Sequence, residues 1–242
     1  LERTRRHWRE QGPLGTRQVS TRDAWIFFQH LLALLDTDEP ASLVERLQQY
    51  MLKAVREAKQ QSSWIDPDSD YEEAVMKFVA EMTVGAEVNE LLAPLAGRLA
   101  RYGFLNGLGQ LVLKLTSPGV PDIYQGTELL DLSLVDPDNR RPVDYGHRDE
   151  LLARFESQEK VEPEQLRHMA QEQAPELKLL LTYRLLNFRR SNPGIFAGTY
   201  RPLEMAGDDG NAAGPVAFVR ESDGEQLLVL IPRFQAGREA AT

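Results

Sequence analysis

Apolar residues recur at helical spacing through the first half of the chain. Ser20 or Thr21 caps a first helix, with Asp23 in its first turn. Trp25, Ile26, Phe28, Leu31, Leu32 and Leu35 form its stripe, and Trp25 on that stripe reads as core. Pro40 opens a second helix with Leu43, Leu47, Tyr50, Met51, Ala54, Val55 and Ala58 inward. The polar turn 64–70 breaks the pattern. A third helix carries Tyr71, Ala74, Val75, Phe78, Val79 and Met82, a fourth Leu91, Leu92, Leu95 and Leu99. A fifth carries Leu105, Leu108, Leu111, Val112 and Leu115 and ends before Pro118. Residues 120–124 are a short apolar run between Pro118-Gly119 and Gly126, which reads as one buried strand emptying into a polar loop. No second strand precedes it, whereas a complete βα barrel alternates from its start.

Beyond that loop, residues 149–155 and 162–170 read as short helices, and 175–190 as a strongly amphipathic one with Leu177, Leu180, Leu181, Leu185 and Phe188 on its apolar face. Asn192-Pro-Gly194 stops it. The composition then changes. Residues 216–219 and 226–231 read as strands around the turn Ser222-Asp-Gly224, and 207–214 as a glycine-rich flexible loop. A boundary near residue 193 separates a helical part from a β part too short to close a sandwich.

The bulk numbers narrow the class. A chain of 242 residues buries a real core, and 27% charged with 42% hydrophobic residues is ordinary for a globular protein. The formal charge is −9, which argues against a nucleic-acid surface and suits a neutral ligand. With no cysteine there is neither a disulfide framework nor a thiolate metal site, which is compatible with a reducing cytoplasm. Four isolated histidines lack the spaced partners of a metal site, and no cofactor is expected. No apolar run approaches the ~20 residues that span a bilayer, so no membrane partner is expected. The start of the chain lacks the apolar core of a signal peptide and has no Met, which suggests a fragment or a processed chain.

The candidate chemistry is concentrated in the loop after residue 124. Glu128, Asp131, Asp136, Asp138, Arg140, Arg141 and Asp144 follow within a few residues, which is how parallel α/β barrels build sites at strand ends. Gly119, Pro121, Ile123, Tyr124, Gly126 and Glu128 fit a Gly-x-Pro-x-apolar-aromatic-x-Gly-x-Glu pattern. This resembles the last barrel strand of the α-amylase superfamily. The run Asp136-Pro-Asp-Asn-Arg-Arg-Pro-Val-Asp-Tyr145 is similar to one family within it, the maltooligosyl trehalose synthases. So is Arg56-Glu-Ala-Lys-Gln-Gln-Ser-Ser-Trp64 with the residues up to Glu72, and residues 185–200 resemble the last barrel helix and its exit into a β domain.

The resemblance implies a mainly α chain: a helical segment, the last strand and helix of a (β/α)8 barrel, and the start of a β domain. The corresponding divisions are 1–117, 118–193 and 194–242. It implies an enzyme that moves the reducing-end linkage of a malto-oligosaccharide from α-1,4 to α,α-1,1 without a cofactor. Its partners are the malto-oligosaccharide and a missing N-terminal barrel of the same enzyme. Retention of configuration calls for two carboxylates about 5 Å apart. The superfamily's Gly-Phe-Arg-x-Asp strand and His-Asp pair do not occur here, so no catalytic residue is expected in this chain.

What remains is sugar binding, with Lys59, Ser63, Trp64, Tyr124, Asp136, Asp138 and Arg140 as candidates. Each has a plainer alternative. Arg140 either orients acids at the terminal sugar or makes a loop salt bridge, and Tyr145 stands where the superfamily usually has Trp. Asp136 and Asp138 either accept from sugar hydroxyls or serve the turn. Tyr124 is either a sugar platform or a core residue at a strand end. Trp64, at a turn, has less reason to be buried than Trp25. Gly119, Pro121, Gly126 and Glu128 read as structural. A non-catalytic helical binding or scaffold module is the alternative to the enzyme reading.

Overall fold

A computed structural model of the chain describes residues 18–35, 40–158, 160–205 and 214–233. Trp8 and most of the glycine-rich run 207–214 lie outside the described residues. The described elements are helices α1 (Thr21–Leu34), α2 (Pro40–Ala58), α3 (Ser69–Val84), α4 (Ala86–Thr116), α5 (Tyr145–Glu156), α6 (Pro163–Gln171), α7 (Glu176–Ser191) and α8 (Pro193–Ala197), then strands β1 (Thr199–Leu203), β2 (Val216–Ser222) and β3 (Glu225–Ile231). The chain divides into two compact units. One holds residues up to Ala100 together with Leu132–Arg141, and the other Arg101–Asp131 with Pro142–Thr242.

In the first unit, Ser20 caps α1 by accepting from the Asp23 amide, and Asp68 caps α3 by accepting from the Tyr71 amide. The Tyr71 hydroxyl donates to Asp23 at 2.6 Å and accepts from the Ser20 amide at 3.0 Å, so both helix starts share one buried knot. The stripe Leu43, Leu47, Met51 and Val55 of α2 is buried at i, i+4 spacing, with Tyr71, Ala74, Val75, Phe78, Val79 and Met82 of α3. Phe27, Phe28 and Phe78 meet edge to face at 5.1–5.9 Å, the favoured geometry for aromatic rings.

Trp25 is corrected by the structure: it is 52% exposed. The buried arc of α1 runs through Asp23, Ala24, Phe27, Phe28, Leu31 and Leu34. Trp25 lies about 100° around the helix from Ala24, beyond the edge of that arc. A second correction concerns the fourth and fifth helices, which are one helix, α4, with Pro94 inside it. Leu91 and Leu99 are exposed, while Val88, Leu92 and Ala96, then Phe104, Leu108, Leu111 and Leu115, are buried.

The second unit has its own core, in which Phe104 and Leu108 join Leu129, Leu151, Phe155, Leu177, Leu179 and Leu180. Phe188, expected on the inward face of α7, is 38% exposed, because that face is centred on Leu177, Leu179, Leu180 and Thr182. The sheet is antiparallel in the order β1-β2-β3, with Phe218 opposite Val229 and Val219 opposite Leu228. Asp223 and Gly224, both at positive φ, make the tight β2–β3 turn. Strand β1 was not legible in the sequence. Beside it, Gly198 lies so close to β2 that a Cβ would meet the Glu221 carbonyl oxygen at 2.1 Å.

Residues 120–124 form no strand, and Val120 is 96% exposed. The buried strand expected there is therefore not present in this structure. A strand exists only through ladder partners for its backbone groups, and the described strands pair only with one another.

Candidate functional site

The loop Leu132–Arg141 carries one 3-10 turn, Asp138–Arg140, and is held by side chains of α2. Arg46 donates through Nε to Asp138 Oδ1 at 3.0 Å and through Nη2 to Oδ2 at 2.8 Å. The same Nη2 reaches the Leu132 carbonyl at 2.9 Å. The Leu134 amide donates to Asp138 at 2.6 Å. Both charged side chains are about nine-tenths buried. Burial pushes the Asp138 carboxyl up, but Arg46, the Leu134 amide and Arg141 outweigh it and hold the group below its ordinary value. Two turns along α2, Lys53 donates to the Asp136 carbonyl at 2.8 Å. Asp138 is thus fully engaged within the protein. Arg140 is exposed and Asp136 part-exposed, and the two pair with each other on the open side of the loop. The Asp136–Pro137 peptide is cis.

The second polar break, residues 59–68, starts where α2 ends. Lys59 is exposed, with φ at 54°. Ser63 accepts from the Asp66 amide at 2.9 Å. Trp64 is 57% exposed, with the Arg56 guanidinium 4.8 Å from its ring centre. Arg56 in turn grips Glu72 through Nε at 2.8 Å and Nη2 at 2.7 Å. Buried Ser62 donates to Glu72 at 2.5 Å and accepts from the Asp68 amide at 3.0 Å. The bonds from Arg56 pull the Glu72 carboxyl below its ordinary value against burial, and Ser62 adds to them. Lys53 and Arg56 lie one helical turn apart, so loop and turn are anchored on the same stretch of α2.

In the second unit Tyr124 is half exposed, and its carbonyl accepts from the Thr127 hydroxyl at 2.7 Å. Gly126 has φ near 90°, and a Cβ there would meet Val143 at 3.1 Å. Gly119, also at positive φ, accepts from Arg189 through its carbonyl, and Pro121 is half-buried. Arg148 draws this segment together: it pairs with Glu128 at 3.1 Å and donates to the Gly126 and Asp144 carbonyls at 2.7 and 2.9 Å. Lys178 donates to the Leu129 carbonyl at 3.0 Å. Its ammonium is held below the ordinary lysine value by burial and then by Lys114, against Asp131 and Glu128. A groove of about 430 Å³ is lined chiefly by apolar residues, among them Ile123, Leu152, Leu179 and Leu186, with Glu128 and Arg190. Among the described residues no group of three or more His, Asp or Glu side chains is placed to hold a metal ion. No described helix is long and apolar enough to cross a membrane.

No protein-family model matches the chain. A protein from two strains of Mycobacterium tuberculosis, named for maltooligosyl trehalose synthase, is 37% identical over 195 residues, 80% of this chain. The solved maltooligosyltrehalose synthase of Arthrobacter ramosus superposes on 99% of the chain with a TM-score of 0.72 at 34% identity. A second solved maltooligosyl trehalose synthase covers 89% of the chain with a TM-score of 0.73 at 28% identity. This chain belongs to the maltooligosyl trehalose synthase family. It spans 22% of the length of the curated relatives and 29–32% of these two solved synthases.

For this member of the synthase family the structure separates the residues singled out from the sequence. Lys59, Ser63, Trp64, Asp136, Asp138 and Arg140 belong to the first unit, and Tyr124 and Glu128 to the second. Asp138 is an internal anchor, while Asp136, Arg140, Lys59 and Trp64 face solvent to differing degrees. The sequence reading missed Arg46, Lys53, Arg56, Ser62, Glu72, Arg148 and Lys178. One signal was available. Arg46 sits beside Leu47 and one turn from Leu43 on the buried stripe of α2, where an arginine needs a buried acceptor.

Proposed function

We propose that this chain is part of an enzyme that isomerises the reducing-end α-1,4 linkage of malto-oligosaccharides to α,α-1,1, and that it supplies part of the sugar pocket. The reading is carried by one observation together with family membership. The exposed Asp136–Arg140 pair and the Lys59–Ser63–Trp64 turn are both anchored on α2, by buried or half-buried cations. Asp136 accepts and Arg140 donates, which suits vicinal hydroxyls, and an indole face suits the apolar side of a pyranose. Tyr124, in the second unit, is a separate candidate sugar contact through its half-exposed ring. The two carboxylates of a retaining mechanism lie outside these residues in this reading. In the whole synthase, residues 1–117 form a helical segment, 118–193 the last barrel strand, loop and final helices, and 194–242 the start of a β domain.

A chimera tests it. The Arthrobacter ramosus synthase, with its matching segment replaced by this chain, should make maltooligosyltrehalose from maltopentaose, seen as loss of reducing ends. The isolated chain should not. A folded but inactive chimera removes the functional reading. A second reading, a non-catalytic helical binding module, draws on the self-contained core around Phe27, Phe28 and Phe78. Turnover by the chimera excludes it.

A further inference from the structure

We infer that Arg56 and Glu72 are positioning residues that hold Trp64 as a one-sided, preformed platform for a pyranose ring. The inference rests on the sugar-pocket reading above and deepens it. Trp64 and Ile65 are 57% and 93% exposed side by side at the tip of a turn, where apolar surface of that size needs a reason. An exposed tryptophan is ordinarily free to change rotamer, and a ligand that stacks on it must first order it. Here the ordering is already built. The guanidinium of Arg56 lies over one face of the indole, within cation–π range.

That guanidinium cannot swing away cheaply. Its Nε–Nη2 edge is bound by both oxygens of Glu72, which fixes the plane of the fork. Glu72 is buried, and its Oε1, which accepts from Arg56 Nε, also accepts from the Ser62 hydroxyl. Ser62 also accepts from the Asp68 amide, the residue that caps α3, so the support runs into the helix start. The chain of contacts is Asp68, Ser62, Glu72, Arg56, Trp64. One indole face is then covered by the cation and the ring's orientation is set by a buried carboxylate. The C–H face of a pyranose carries slight positive charge and meets the negative face of an aromatic ring. Ser63 and Lys59 of the same turn supply polar groups for the hydroxyl rim.

The test uses the 242-residue chain with Trp8→Phe and Trp25→Phe, which leaves Trp64 as the single indole. Its emission is followed during titration with maltose. Maltose should shift the emission to the blue in a saturable way. Arg56→Met should weaken the half-saturation at least tenfold, and Glu72→Gln severalfold. Arg56→Lys, which keeps the charge but loses the planar fork, should fall between wild type and Arg56→Met. Far-ultraviolet circular dichroism of each variant should match the parent, which separates positioning from folding. Equal maltose affinity in Arg56→Met and the parent overturns the positioning role. A blue shift that follows protein concentration and not maltose assigns the indole to a contact between chains and overturns the platform. Absence of any maltose response does the same. In that case turnover by the chimera shows that only this inference has failed, and an inactive folded chimera shows that the sugar-pocket reading has failed with it.

Discussion

Loop 132–141 and segment 120–124 invert what their sequences suggest. The loop is polar, rich in turn residues and nearly without regular structure, yet Arg46 and Lys53 tie it down at four polar atoms. The segment is apolar and strand-like, yet Val120 is almost fully exposed and no ladder forms. The difference lies in where each finds its partners. The loop needs side chains of α2, which the same compact unit provides. The segment needs backbone neighbours on both sides, and the described strands do not supply them.

The largest effect should come from removing the clamp. Arg46→Met leaves the Asp138 carboxylate buried without its partner and should destabilise the first unit by about 3 kcal/mol or more. Adding Asp138→Leu to it should recover a good part of that loss. Urea unfolding of the parent and both variants checks this, and a loss below 1 kcal/mol for Arg46→Met would leave the loop no better held than segment 120–124.

A functional arm sharpens the same contrast. In the chimera, Trp64→Ala and Arg140→Ala should each lower kcat/KM roughly thirtyfold or more while shifting the melting temperature little, since both side chains are exposed. A structural residue would show the reverse, a lower melting temperature with full activity in the folded fraction.

Acid should loosen the two anchored regions first. Asp138 and Glu72 are both held below their ordinary values in the folded protein. Their contribution to stability is therefore complete above the unfolded carboxyl value, near pH 4, and is lost as pH falls through the lower folded values. Urea midpoints measured from about pH 5 down to pH 2 should fall along that path. Arg46→Met should flatten the Asp138 share of the slope and leave the Glu72 share. An unchanged slope would mean that Asp138 is not the group being titrated.

The smallest effect should be at Val120. In the isolated chain Val120→Ser should change stability by no more than about 0.5 kcal/mol, as for an ordinary surface position. In the chimera, where the proposed barrel neighbours cover it, the same change should cost about 1 to 2 kcal/mol. Equal small effects in both proteins would show that residues 120–124 never become a buried strand.

The spacing of apolar residues determined much of the helical plan by itself. Leu43, Leu47, Met51 and Val55, and Tyr71 through Met82, were legible because a helix turns every 3.6 residues and buries one stripe wherever it packs. The synthase-like loop and turn were legible as unusual chemistry for the same local reason, residue types at fixed offsets. Tertiary structure decided the rest. It set the arc of α1 and so turned Trp25 outward, and packing of both halves kept α4 continuous past Pro94 and its glycines. It chose Asp138 as anchor and left Asp136 and Arg140 facing solvent. Arg46 and Asp138 are 92 positions apart, and Arg56 and Glu72 lie on different helices. Periodicity says which side of an element is buried. It does not say which buried charges from distant elements will meet, because that depends on how the elements pack, and a buried charge is tolerated only where its partner is brought to it.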